Sequence, residues 1–534
     1  MKLKYYFTLL SLLSFMACSD DSPSTPDTPD QPDIPNNGEK LVTINAEKTY
    51  QAITGFGASD CWNPSYVGKY WTNSRDKITE LLFSSEIQAG NPKGIGLSMW
   101  RVNLGGGTAE QGDASGITDK SRRAKSYLTN DLILDWNRCE GQRYFLNRAK
   151  EFGCESIVLF SNTPPVQYTQ NGKGFSNQGG VSNLKNDCYD DFAAYMGDVA
   201  QYYIDKGYPV THISPVNEPQ YNWNGGQEGS GWTNDEVARL ARELDDALTE
   251  RNLSTDILLG ESGDWEYLYK TKDDANRSNV MSAFFTPGSS AYVGDLNHVK
   301  KLICGHSYWT DGTWDGMRIR KQVSQAATQY GVDVWQSEWS MLGDNYSNTE
   351  FVGYDNATEM DIAFYMSRVI HNDLTVAGVS SWSYWTSMDV ARWGHKNRFL
   401  LISLIPGGGI NDNNDNIEKE GTFQPTATLW VLGNYSLFIR PGYQRINMQL
   451  TESLNFFGSA WLSPQGDKIV AVFTNMSSKN VRLSETHEGW SNEATSIRTY
   501  TTTNSKKLTE ATVSAGESVL LEAESVTTVV YNLK

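Results

Sequence analysis

The sequence predicts an α/β fold, a (β/α)8 barrel with a side β-sandwich, and three features of its 534 residues point there. Eight short, apolar, β-prone runs alternate with amphipathic helical stretches, the pattern of a parallel sheet covered by helices. Polar residues collect at the carboxyl ends of those runs, where a barrel places its reactive groups. Beyond residue 441 the helical period stops and short β runs follow at turn spacing, as in an antiparallel sandwich. A chain of this length accommodates a barrel of roughly 250 to 400 residues and a smaller module. A doubly wound open sheet is the alternative reading of the alternating runs.

Taken in order, Met1-Lys2-Leu3-Lys4 is a short basic region and Tyr5 to Met16 an apolar stretch too short to span a bilayer, so residues 1–17 read as an export signal. Ser14-Phe15-Met16-Ala17-Cys18 resembles a bacterial lipobox with Cys18 as the lipidated first mature residue; an incidental thiol is the alternative. Ser19-Asp20-Asp21 resembles the surface-export pattern of Bacteroidota lipoproteins, which implies the outer membrane of a Gram-negative cell. Residues 18–39 carry prolines at 23, 26, 29, 32 and 35 and read as an extended spacer. Residues 40–50 hold a free strand, Leu41–Asn45, that joins the small domain.

Residues 51–440 form the expected barrel. Its β runs are 52–58, 97–103, 156–162, 210–217, 257–261, 302–308, 334–338 and 379–385. Between them, Thr233 and Glu236 make a capping box ahead of the apolar stripe Val237, Leu240, Ala241, Leu244 and Leu248. Similar stripes lie in 192–204, 319–330 and 360–370, and 425–439 is the eighth helix, stopped by Arg440-Pro441-Gly442. Residues 441–534 are the sandwich, with β runs at 459–462, 468–474, 496–501 and 526–532.

The strand ends carry the chemistry. Glu218, in Asn217-Glu218-Pro219, closes the fourth run, and Glu338, between Trp335 and Trp339, closes the seventh. Two carboxylates from different strands, amid 17 Trp and 27 Tyr, suit cleavage of a glycosidic bond: Glu338 attacks the sugar carbon and Glu218 protonates the leaving oxygen. Arg101 and Asn103 end the second run, Asn162 the third, His306 and Tyr308 the sixth, and Trp385 the eighth. Arg101 is placed to pair with Glu338, Asn217 to reach a hydroxyl beside the anomeric carbon, and Trp385 to floor the central subsite. His306 and Tyr308 either approach the nucleophile or are satisfied barrel residues. Trp62, Trp223, Trp265, Trp309 and Trp339 are candidate sugar platforms, with core packing the alternative for each. Glu261, at the end of the fifth run, is the rival carboxylate.

Other chemistries fit less well. A net charge of −18 gives no basic face for nucleic acid. Gly55-Phe56-Gly57 runs on to Asp60 without the further glycine a phosphate loop needs. The six histidines form no His-x-His or His-Glu-x-x-His motif, so no metal and no cofactor are expected; the Asn411–Asn416 loop could hold calcium but reads better as solvated. After Cys18, five cysteines remain without a C-x-x-C spacing, and no disulfide is assigned. The expected partner is a polysaccharide, the expected state a monomer, and membrane contact is expected only through the lipid.

Gly55-Phe56-Gly57-Ala58-Ser59, Asn217-Glu218-Pro219, the tryptophan-flanked Glu338 and Phe438-Ile439-Arg440-Pro441-Gly442 together resemble glycoside hydrolase family 30 of clan A over residues 40 to 534. The resemblance implies a barrel fused to a side sandwich, with the acid/base after strand four and the nucleophile after strand seven. It also implies an arginine on the nucleophile, which Arg101 matches. Met99 to Gly107, Ser161 to Pro165 and Gln142 to Phe152 most resemble the endo-β-1,6-galactanase-like branch, which implies internal cleavage of β-1,6-galactan. Sister branches act on xylan or β-1,6-glucan. The reading from another class is a surface glycan-binding lipoprotein whose barrel has lost catalysis.

Overall fold

Eight parallel strands close into a barrel, in the order in which the chain supplies them. They are Gly55–Ser59, Met99–Asn103, Ser156–Phe160, Val210–Ser214, Asp256–Ser262, Val299–His306, Asp333–Trp339 and Ser381–Tyr384. Each coincides with one of the eight runs read from the sequence. The first begins later than expected because Ala52 still belongs to the preceding strand, Glu39–Ala52. This computed structural model describes residues 38–176, 179–342, 351, 353, 356–391, 398–490 and 494–533. The expected export signal, Cys18 and nearly all of the proline-rich spacer lie outside the described residues.

Strand alternation fills the barrel with Met99, Val158, Leu258, Cys304 and Trp335, one side chain from each of five strands. Burying each such side chain contributes roughly 1.5 to 3 kcal/mol. The helices cover the outside. Asn234–Glu250 starts at the Thr233/Glu236 capping box and turns Val237, Leu240, Ala241, Leu244 and Leu248 to the core. The final helix is shorter than expected, Ala427–Ser436, because Pro425 ends a strand and the Thr426 hydroxyl caps the helix by accepting from the Leu429 amide.

Glu39–Ala52 lies within a nine-stranded sheet, antiparallel to Gln444–Leu450 on one side and parallel to Val481–Glu488 on the other. The small domain therefore takes strands from both ends of the described chain. One face of this sheet buries Val42, Ile44, Ile446, Phe473, Leu483 and Tyr531 in a core of its own. The other face contributes Trp461, Val470, Val472, Tyr500 and Val526 to the barrel's core. A three-stranded sheet absent from the expectations, Met388–Val390, Ile402–Ile405 and Thr422–Pro425, follows the last barrel strand and walls one side of the barrel mouth.

Candidate active site

At the end of the fourth strand the chain runs through Pro215 to Asn217, then turns at Glu218 into the left-handed region, φ +43°. Pro219 cannot continue the ladder. The Glu218 amide is held by the Glu261 carbonyl at 2.9 Å, so the side chain is aimed from a fixed corner. In the seventh strand the register against the sixth slips between Gln336 and Glu338. Such a slip breaks the usual in/out alternation. The consecutive residues Ser337 and Glu338 consequently both reach the polar network inside the barrel mouth.

Glu338 accepts from Arg101 Nη1 at 2.6 Å and from the Tyr308 hydroxyl at 3.0 Å. His306 joins the carboxylates. Its Nδ1 lies 2.9 Å from Glu218 Oε1 and 3.7 Å from Glu338 Oε1, and its Nε2 lies 3.0 Å from Glu261 Oε2. One oxygen each of Glu218 and Glu338, with a His306 nitrogen, lie within 4.8 Å of one another. Both His306 nitrogens thus lie at hydrogen-bond distance from carboxylates, an arrangement that suits a proton network.

Burial opposes a charged imidazole, but Glu338 nearby and the bonds to Glu218 and Glu261 outweigh it and raise the His306 pKa to about 10. Burial also pushes the Glu338 carboxyl up, with His306 and Arg101 pulling it back. Glu261 is different. Burial alone would raise it, yet Arg101, His306 and the Ser337 hydroxyl hold it well below the usual carboxylate range. Glu261 is wholly buried and always ionised, so it anchors the two cations and has no route to a substrate.

Arg101 also donates to Asn217 Oδ1 at 2.8 Å, and its guanidinium lies 3.6 Å over the Phe160 ring. With its oxygen occupied, Asn217 presents its amide NH2 as the available donor. Asn103 and Asn162 sit one layer back: Asn162 Nδ2 approaches Asn103 Oδ1 at 3.4 Å, while the Asn103 amide donates to Asp60. Asp60, raised to about 7 by burial, also accepts from Gln142. Gln142 escapes the sequence reading because it lies within the helix Glu140–Glu151, and Asp60 because the expected first run closes at Ala58.

Trp385 and Trp62 meet edge to face at 5.0 Å and line a cavity of about 730 Å³ with Arg122, Trp223, Asp389 and Arg398. Arg122 packs over the Trp62 ring at 3.9 Å and pairs with Asp389 at 2.8 Å. The cavity is joined to the carboxylates by backbone. The Trp385 amide donates to the carbonyl of Trp339, next to Glu338, and the Trp223 indole N–H donates to the Glu218 carbonyl.

Two expected platforms are corrected. Trp265 is fully buried with its indole N–H on Ser307, and Trp339 is fully buried with its indole N–H on Asp311. Each indole faces the helix layer, where it packs in the barrel's core. His306 and Tyr308, with 0% and 2% exposure, serve the carboxylates and present no surface to sugar.

A barrel mouth holding two carboxylates beside an aromatic-lined cavity defines an enzyme that cleaves O-glycosidic bonds. The sequence model of O-glycosyl hydrolase family 30 matches residues 39–396, and the chain belongs to that family. It is 24% identical over 426 residues to an endo-β-1,6-galactanase of Hypocrea rufa, covering 76% of each chain. It is 24% identical to a glucuronoxylanase of Bacillus subtilis, covering 92% of each. The structure of a conserved exported protein from Bacteroides fragilis superposes with TM-score 0.84 at 30% identity, covering 92% of this chain and 100% of that one.

Proposed function

We propose that this glycoside hydrolase cuts a β-linked polysaccharide internally, with β-1,6-galactan its substrate, and works by double displacement with retention of configuration. The carboxylate spacing carries this reading. Oxygens of Glu218 and Glu338 within 4.8 Å of each other suit the separation of roughly 5 to 5.5 Å found between carboxyl groups in retaining enzymes, and leave no room for the water an inverting enzyme places between them.

In the proposed reaction, Glu338 attacks the anomeric carbon while Glu218 gives its proton to the departing oxygen. Glu218 then takes a proton from water, which displaces Glu338 and restores both side chains. Tyr308 and Arg101 orient the attacking carboxylate, and Asn217 donates to the neighbouring hydroxyl, a contact that strengthens in the transition state.

The choice of β-1,6-galactan rests on likeness to the Hypocrea rufa enzyme, with xylan and β-1,6-glucan the alternatives within the family. We place the protein at the cell surface, anchored through a lipid on Cys18. Likeness to an exported Bacteroides protein supports export, and the lipobox-like Ser14 to Cys18 supports the anchor.

The test is reducing-sugar release from β-1,6-galactan, xylan and β-1,6-glucan by the wild type and Glu338→Gln, with the first product's anomer read by NMR. Loss on the order of 10³-fold or more in the variant, and a β product from the wild type, are expected. An α first product would sink double displacement. Binding without release by the wild type would favour the non-catalytic glycan binder.

A further inference from the structure

We propose that Trp309, continued by Trp314, forms the platform on which the leaving-group side of the polysaccharide stacks, a reading that rests on Glu218 as the proton donor. The observation behind it is a run of aromatic rings that starts at Glu218. The Tyr221 amide and the Trp223 indole N–H both donate to the Glu218 carbonyl, at 3.2 and 3.1 Å. The Tyr221 ring meets Trp223 at 5.8 Å and Trp309 at 6.0 Å, and Trp309 also touches Tyr308, whose hydroxyl holds Glu338. The run then opens to solvent: Trp309 is 53% exposed and Trp314, five residues on, is 69% exposed.

Water-facing indoles at a barrel mouth carry a hydrophobic penalty that a bound sugar face relieves. Trp309 also holds φ at +52°, an unfavourable value for a bulky residue. Such strain persists where a side chain has to be presented in one direction.

Strand order gives the direction of the substrate. Trp62, Arg122 and Trp385 follow the first, second and eighth strands and Tyr221 and Trp309 the fourth and sixth, on opposite rims of the ring, with Trp223 of the fourth-strand loop reaching the cavity between them. A chain lying across the mouth has the Trp62/Trp385 cavity under the sugar that Glu338 attacks and Trp309 under the sugars that leave past Glu218. Platforms on both sides of the cleaved bond are what internal cleavage requires.

Trp309→Ala, Trp309→Phe and Trp314→Ala are assayed on whichever of β-1,6-galactan, glucuronoxylan and β-1,6-glucan the wild type cuts. Trp309→Ala is expected to lose about tenfold in kcat/KM on the polymer, mainly through KM, with Phe recovering much of it. Trp314→Ala is expected to show a smaller loss of the same kind. Affinity electrophoresis of Glu338→Gln and Glu338→Gln/Trp309→Ala through gels of each polymer reads binding without turnover. Polymer kinetics and retardation unchanged by Trp309→Ala, or no retardation of Glu338→Gln in any gel, would each overturn the proposal.

Discussion

At the scale of single residues, a charged side chain at the end of an apolar run stands out in the sequence, while one inside a loop does not. Glu218, Glu338 and Arg101 were legible for that reason. Glu228 was not: in Asn224-Gly225-Gly226-Gln227-Glu228 it reads like any solvated loop carboxylate, yet the fold buries it completely. Trp265 and Trp339 misled in the opposite sense, because residue type announces an indole but not which side of a strand end it faces. Glu228 accepts from the Gly106 and Thr108 amides and the Thr108 hydroxyl, and Thr108 in turn receives the Ala124 amide, two residues from Arg122 in the cavity wall. Burial raises Glu228 to about 7 despite those bonds. A folded-state pKa above the unfolded value of 4.5 means the folded chain binds more protons, so this group's stabilisation is present in acid and is lost as pH rises towards and through 7. The loss is on the order of 3 kcal/mol, and Asp60, also raised to about 7, declines in parallel. Thermal melts from pH 5 to 8 should therefore fall, His306 adding to the decline above its ordinary value, and Glu228→Gln should make the fall shallower by removing one of these titrating groups. A slope unaltered by that substitution would show that Glu228 does not titrate in this range.

At the scale of elements, all eight barrel strands could be read from the sequence because a strand buried on both faces is a nearly continuous apolar run. The strands Gln444–Leu450 and Val481–Glu488 escaped because Arg445, Asn447, Arg482 and Glu485 interrupt their apolar pattern. The register slips escaped for a different reason. A bulge is a relation between two strands and leaves no trace in either one alone. In the fifth strand a slip lies between Leu259 and Ser262, where Gly260 has φ +115° and Glu261 φ +37°. This corner carries the Glu261 carboxylate to Arg101 and His306. A Cβ on Gly260 would meet the Cys304 carbonyl oxygen at 2.2 Å, a backbone atom that cannot swing aside. Gly260→Ala should lower stability by more than about 2 kcal/mol in chemical denaturation. It should also cut kcat by about tenfold or more, because Glu261 sets the positions of His306 and Arg101. Gly331→Ala, at φ +63° with no atom within 4 Å of the added Cβ, is the comparison: a modest stability loss with kcat intact. Equal kcat in the two variants would remove Glu261 from the positioning of the site.

At the scale of the whole molecule, the small domain is less separable than its sequence pattern suggests. Composition marks where helices give way to strands near residue 441, and the free strand at Leu41–Asn45 points to the other end of the chain, but neither reveals that the sheet's second face shares the barrel's core. Glu39–Ala52 sits between two neighbours in that sheet and buries Val42 and Ile44 in its core. The sheet's other face shares the barrel core, and Asn434 of the final helix bonds the Tyr500 carbonyl and Thr528 across the junction. A chain starting at Ile53 would leave Gln444–Leu450 and Val481–Glu488 as unpaired edges beside an uncovered apolar face, a template for aggregation. Because the same sheet supports the helix layer of the barrel, its loss should propagate. The chain from Ile53 should be recovered largely aggregated, or melt well below the parent and without activity. A chain from Gly38 keeps every described contact and should match the parent in Tm and kcat. Scanning calorimetry of the Gly38 chain should show one transition rather than two, since one shared apolar core joins the sheet to the barrel. Two resolved transitions, or an active and undiminished chain from Ile53, would mean that the barrel stands without the strand that precedes it.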